Sequence, residues 1–333
     1  MTSLRRNKAK SLKNEKEIVS EIKQLHLGIV DNITNQMKRQ SISELSKKAC
    51  EGAGDISYAI DKNVDETLDN FFSKFSDIGS TLLISEGAGT KAYGAKKLED
   101  CEYAVIVDPI DGTRGLMYDM RSAWILTGVA PNKDNVSLSD IEIAVQTEIP
   151  TTKQNLFDVF VGVKNNGVKA ERHNILTKEY EKWKPQPSKA INIEHGFAML
   201  TKFFEGSKTK TAEIEEELFK RLGLFKEGKA LTFDDQYISS GGQFANLISG
   251  SYRFCGDLRP FYSRGLCAHP YDVSTKLIAT EIGVEITDTY GRDLNVPLDT
   301  STNVTWLGYA NRDIKKQVEP VLLEILKEKI PGY

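Results

Sequence analysis

The sequence predicts a mixed α/β protein, with a few helices laid against a largely antiparallel sheet in the first half and alternating helices and strands in the second. Three observations predict it. Val64, Leu68, Phe71, Phe72 and Phe75 repeat at three and four positions before Gly79, the spacing of a helix with one apolar face. Ile141, Ile143, Val145, Thr147 and Ile149 alternate strictly, the period of a strand with one buried face. Beyond a charged segment from Thr177 to Lys189 that contains Pro185 and Pro187, helical and extended patterns take turns to the end.

Each element follows from the same reading. Ile18, Ile22, Leu25, Ile29, Ile33 and Met37 mark a first helix, with a break expected near Gly28. After the Phe-rich helix, strands are expected at Thr81–Ser85, Tyr103–Val107, Trp124–Ala130, the alternating run and Phe157–Val163. Pro131–Asp134 and Asn165–Gly167 supply turns. In the second half, helices are expected near Ala212–Leu222, Gln243–Ser249, Asp272–Ile282 and Asp313–Lys327. Strands are expected at Tyr252–Cys255, Val284–Thr287 and Thr305–Ala310. The expected organisation is a tail at 1–14, an α+β unit at 15–178 and an α/β unit at 190–333, because one core seldom grows past ~250–300 residues.

Composition excludes several classes. A net charge of −3 over 333 residues provides no strong field, so no nucleic acid polymer and no membrane is expected as a partner. The basic cluster Arg5, Arg6, Lys8, Lys10, Lys13 and Lys16 reads as a solvated tail. Cys50, Cys101, Cys255 and Cys267 lack the spacing of a zinc site or a disulfide framework. His26, His173, His195 and His269 share no spacing, and none reads as a ligand. With no secretory pattern and no apolar run near the ~20 residues that cross a bilayer, a cytoplasmic location is expected.

The most informative segment is Ala104-Val-Ile-Val-Asp108-Pro-Ile-Asp111-Gly-Thr113. A short apolar run reads as a buried strand, and two carboxylates stand at its end. Pro109 stops the ladder, and Gly112 permits an unusual turn. Carboxylates converging there need a cation between them, and hard oxygen donors select Mg²⁺ or Mn²⁺. Taken alone, Asp-Pro-x-Asp-Gly is equally what tight turns are made of.

The extended pattern resembles the inositol monophosphatase family, within the magnesium-dependent sugar-phosphatase superfamily that includes fructose-1,6-bisphosphatases. In matching order stand Asp61 in Tyr-Ala-Ile-Asp61, Glu86 in Leu-Ile-Ser-Glu86-Gly, the complete Asp108–Thr113 string, Asp272 in His-Pro-Tyr-Asp272, and Tyr309-Ala-Asn311. The resemblance implies a layered αβαβα sandwich, a site completed by both halves, and a homodimer or larger homo-oligomer. It implies two or three Mg²⁺ sites, with Mn²⁺ as a substitute. Glu86, Asp108 and the carbonyl of Ile110 would hold one ion, and Asp108, Asp111 and Asp272 a second. Gly112 and Thr113 would receive the phosphate through their amides. The catalytic set would be Asp61, Glu86 and Thr113, with Asp61 orienting the Thr113 hydroxyl. The implied reaction is hydrolysis of a small phosphorylated metabolite, an inositol phosphate or sugar phosphate or bisphosphate, by metal-activated water attacking in line without a phosphoenzyme. A nucleotide 3′-phosphate, histidinol phosphate, or a non-catalytic sensor or scaffold role are the alternatives.

Three departures bear on the site. Glu86-Gly87 replaces the family's Glu-Glu pair, which bears on a third metal and on lithium sensitivity. Arg114-Gly115-Leu116 replaces an Asn-Phe. Asp257 lies further ahead of Asp272 than the corresponding segment usually does. By resemblance, the leaving-alcohol pocket would use Gly241 and Gln243; the longer segment would either reshape it, with Asp257 binding a hydroxyl and Arg259 an anion, or leave Arg259 and Arg264 solvated or in structural pairs.

Overall fold

In the computed structural model, residues 12, 14–51, 56–60, 64–262 and 266–333 are described. The first element is α1 (Glu15–Arg39), and Gly28 does not interrupt it. Its buried stripe of Ile18, Ile22, Leu25, Ile29, Ile33 and Met37 is continuous. Burying that stripe outweighs the roughly 0.5–1 kcal/mol that a mid-helix glycine costs. A short helix α2 (Ile42–Leu45) and the hairpin β1 (Lys48–Glu51), β2 (Ile56–Tyr58) lead to α3 (Val64–Phe75), which buries Val64, Leu68, Phe72 and Phe75.

An eight-stranded sheet follows, from β3 (Thr81–Ser85), β4 (Gly89–Tyr93), β5 (Tyr103–Asp111) and, after the single turn α4 (Thr113–Met117), β6 (Ala123–Pro131). It continues with β7 (Ile143–Ile149), β8 (Leu156–Val163), β9 (Gly167–Asn174) and β10 (Tyr180–Trp183). The order is β10-β9-β8-β7-β6-β5-β3-β4, antiparallel except where β3 lies parallel to β5. β9 and β10 are polar and carry no period-two apolar signal. They are strands because β9 pairs along the whole of β8, from Leu156 opposite Asn174 to Val163 opposite Gly167, and offers β10 its other edge. The first sheet therefore extends to Trp183, into the charged segment expected as a boundary.

The second half contains β11 (Gly196–Leu200), α5 (Lys208–Arg221), β12 (Thr232–Phe233), α6 (Ser240–Ile248), β13 (Tyr252–Asp257), α7 (Lys276–Glu281), β14 (Glu285–Thr287), β15 (Trp306–Tyr309) and α8 (Arg312–Lys329). Its five strands run in the order β12-β11-β13-β15-β14. The single helix expected over Asp272–Ile282 is instead a 3₁₀ turn at Pro270–Val273 followed by α7. Asp272 closes that turn by accepting the His269 backbone N–H at 2.7 Å.

The elements stack as five layers. α1 and α3 cover one face of the large sheet, where Val105, Val107, Ile125, Val145 and Val159 meet them. α6 and α7 lie between the two sheets, against Ala104, Ile106, Leu126, Ala144 and Phe160 on one side and Phe254 and Leu307 on the other. α5 and α8 close the outer face of the small sheet. The chain is thus an αβαβα sandwich. Both faces of β5 are covered, which is why its sequence is continuously apolar rather than alternating. Close approach is built into the central strands. A Cβ at Gly128 would stand 2.6 Å from Ile141 Cδ1 and 3.0 Å from the Ser274 carbonyl, so only glycine lets the Asp272 segment lie directly on β6. No helix among the described residues is long and apolar enough to cross a membrane.

Candidate active site

β5 delivers both aspartates, and an irregularity in its pairing aims them together. In a regular strand, side chains three residues apart point to opposite faces. Here Asp108 pairs with Leu126 and Asp111 with Trp124, so three steps along β5 match two along β6. The extra residue is a bulge around Pro109, which has no N–H to give the ladder, and it restores Asp108 and Asp111 to one side. Asp272 arrives from the 3₁₀ turn over Gly128. One ligand oxygen from each of Asp108, Asp111 and Asp272 lies within 4.8 Å of the others.

Each carboxylate has a protein partner. Asp108 accepts the Ile110 N–H at 3.0 Å. Oδ2 of Asp111 accepts the Ser239 hydroxyl at 2.8 Å and the Gly241 N–H at 2.5 Å. The Ser239 hydroxyl accepts in turn from the Gly242 N–H at 2.8 Å, which fixes its proton on the Asp111 side. Ser239 was not singled out from the sequence. Its only local signal is the N-cap position ahead of α6.

These groups are electrostatically strained without a counter-charge. Burial, then the charges of Glu86, Asp111 and Asp272, hold the Asp108 carboxyl well above the ordinary carboxylate range. Burial and the Asp272 charge push Asp111 up to about 7, against the opposing bonds from Ser239 and Gly241. Burial raises Asp272 to about 6, opposed by the His269 N–H. Glu86 follows β3 at the adjacent strand end, half-buried, its N–H donating to the Val107 carbonyl at 3.2 Å. It stands beside the trio, close enough for its charge to raise Asp108. Two buried carboxylates and a half-buried third, with oxygens at this spacing and mutually repelling, are the donor set that a hard divalent cation satisfies.

Gly112 turns the chain away from the strand at φ 97°, a conformation that favours glycine, and caps α4. The Thr113 hydroxyl donates to the Ile110 carbonyl at 2.8 Å, leaving its lone pairs free of that bond. The expected partner of Thr113, Asp61, lies outside the described residues, as do Arg264 and residues 1–11 and 13 of the basic tail.

The residues expected to line the alcohol side are engaged within the protein. Gly241 is bound to Asp111, and the Gln243 amide donates to the Tyr237 carbonyl at 3.0 Å. Asp257 and Arg259 are both buried and pair with each other: Arg259 Nη2 donates to Asp257 Oδ2 at 2.6 Å and Nε to the same oxygen at 2.8 Å. The guanidinium also stacks over Phe203, 4.8 Å from the ring centre. His26 lies in α1, fully buried between the Thr147 hydroxyl at 2.9 Å and the Thr127 hydroxyl at 2.8 Å, on the opposite face of the large sheet from Gln146.

No protein-family model matches the sequence, and no curated protein matches it either. Solved structures do match. A fructose-1,6-bisphosphatase of Leishmania major in holo form is 15% identical, covers 96% of this chain and 100% of its own, and superposes with a TM-score of 0.67. An inositol monophosphatase of Thermotoga maritima is also 15% identical, with 94% and 99% covered and a TM-score of 0.62. An inositol monophosphatase/NADP phosphatase complexed with NADP and Ca²⁺ is 13% identical, with 95% and 97% covered and a TM-score of 0.63. This chain has the fold of the inositol monophosphatases and fructose-1,6-bisphosphatase.

Proposed function

We propose that the protein is a divalent-cation-dependent phosphomonoesterase acting on a small phosphorylated metabolite, an inositol phosphate or a sugar phosphate or bisphosphate. The observation that supports it best is the convergence of Asp108, Asp111 and Asp272, within 4.8 Å at the Gly112–Thr113 turn. Asp108, Asp111 and Asp272, with Glu86 and the Ile110 carbonyl beside them, would hold Mg²⁺ or Mn²⁺. When bound, the cations polarise the phosphoryl group and neutralise its charge. The Gly112 and Thr113 amides receive the phosphate at the start of α4, as turn amides do. The Thr113 hydroxyl, with its proton directed to Ile110, presents a lone pair that can accept a hydrogen bond from an attacking water and orient it, and the Glu86 carboxylate is proposed as the base that takes the water's proton. Asp61 is proposed to orient Thr113. Positioning and charge neutralisation dominate phosphoryl transfer, so no side chain need become phosphorylated. The alcohol leaves toward the N-terminus of α6 and the end of β13, where Gly241, Gln243, Asp257 and Arg259 stand.

Phosphate release from a panel of inositol and sugar phosphates with Mg²⁺ tests this, with Asp111→Asn as control. Turnover by the wild type, abolished in the variant and by chelator, is expected. Wild type and variant equally inert across the panel would replace catalysis with phosphometabolite binding.

A further inference from the structure

A buried amide at the centre of the sandwich joins the segments that carry the acidic trio. Gln146 lies on β7 between Leu126 and Phe160, fully enclosed, and faces the α6/α7 layer. Its Nε2 donates to the Gly241 carbonyl at 2.7 Å. Its Oε1 accepts the Thr275 hydroxyl at 2.8 Å. Gly241 is the residue whose N–H holds Asp111 Oδ2, and Thr275 lies three residues after Asp272. One side chain therefore ties the segment that holds Asp111 to the segment that bears Asp272, across 129 and 95 residues of sequence.

Packing alone does not call for this residue. The β7 backbone is already paired on both sides. An enclosed amide is costly unless both its ends are bonded, whereas an apolar side chain of similar volume would fill the same space without that requirement. The two acceptor–donor pairs it makes are directional, and both terminate on elements that set the spacing of the carboxylates.

We infer that Gln146 is a positioning residue for the cation centre: it touches neither cation nor substrate, but fixes the distance between Asp111 and Asp272 by bridging Gly241 and Thr275. This inference rests on the metal-centre reading of the trio. Groups that orient metal ligands typically change affinity or activity by 10–100-fold when removed.

The test uses the full chain and Mg²⁺ alone as the probe, by titration calorimetry, with thermal unfolding measured on the same samples. Gln146→Met, which keeps the volume and removes both bonds, is expected to weaken Mg²⁺ binding by about tenfold or more at a temperature where it is fully folded. Thr275→Val, a near-isostere, removes one bond and is expected to weaken binding about two- to tenfold. The double variant should be no weaker than Gln146→Met, since both act through one brace. A role in folding alone would lower the unfolding temperature while leaving Mg²⁺ affinity within about twofold of wild type, and that result in Thr275→Val overturns the inference. Absence of Mg²⁺ binding in the wild type itself would instead overturn the metal-centre reading, and the brace with it.

Discussion

Asp111→Asn should make the cation-free protein more stable at alkaline pH while destroying the site. Asp111 is raised from 3.8 to about 7 by burial and by the Asp272 charge. A folded-state value above the unfolded one means that its stability contribution is complete below about pH 4 and is lost as pH rises to about 7. The shift is about three pH units, so keeping this carboxylate ionised in the folded chain costs up to about 4 kcal/mol at about pH 8. Asparagine carries no charge, and its Oδ1 can still accept from the Ser239 hydroxyl and the Gly241 N–H. Denaturant unfolding in excess chelator is the assay. At about pH 8 the variant should be the more stable by a few kcal/mol, and at about pH 4 the difference should vanish. Adding Mg²⁺ should narrow the gap by most of this amount, because a ligand at 100 times its Kd stabilises the wild type by about 2.7 kcal/mol and the variant has lost a ligand. A variant no more stable than wild type in chelator at about pH 8 would refute the electrostatic account of the trio.

Two further outcomes concern the scaffold. His26 is held at about 3, against 6.5 in the unfolded chain, by complete burial. Its contribution is therefore present above about pH 6.5 and falls away as pH drops toward 3, amounting to about 2 kcal/mol between pH 7 and about pH 5. His26→Gln, which can still bond both threonines, should remove that part of the acid sensitivity; an unchanged pH–stability slope in chelator would contradict it. Asp257→Ala leaves Arg259 buried without its partner and should destabilise by about 3–5 kcal/mol. An unfolding midpoint equal to wild type would show that the pair does not hold the end of β13.

Much of the chemistry was legible in one dimension. The string from Ala104 to Thr113 carries its own local physics: an apolar run for a strand covered on both faces, a proline that ends the ladder, a glycine for a positive φ. The alternation through Ile149 and the helical stripes of α1 and α3 are likewise local periodicities, and residue order determines them directly. Strands β9 and β10 had no such signal, because their pairing partner, not their own composition, makes them strands.

The parts that only the fold decided are contacts between residues far apart in sequence. The bulge that turns Asp108 and Asp111 to one side exists only relative to the register of β6. Ser239 and Gln146 look like an ordinary cap and an ordinary polar strand residue until the layers stack and bring them to Asp111 and Thr275. Asp257 and Arg259, which the sequence offers equally to a ligand or to a structural pair, bond each other once buried. Short-range pattern encodes periodicity and turns, and so determined the elements and the acidic string. Hydrogen bonds and charge pairs across the core depend on which surfaces meet, and only the tertiary structure decides that.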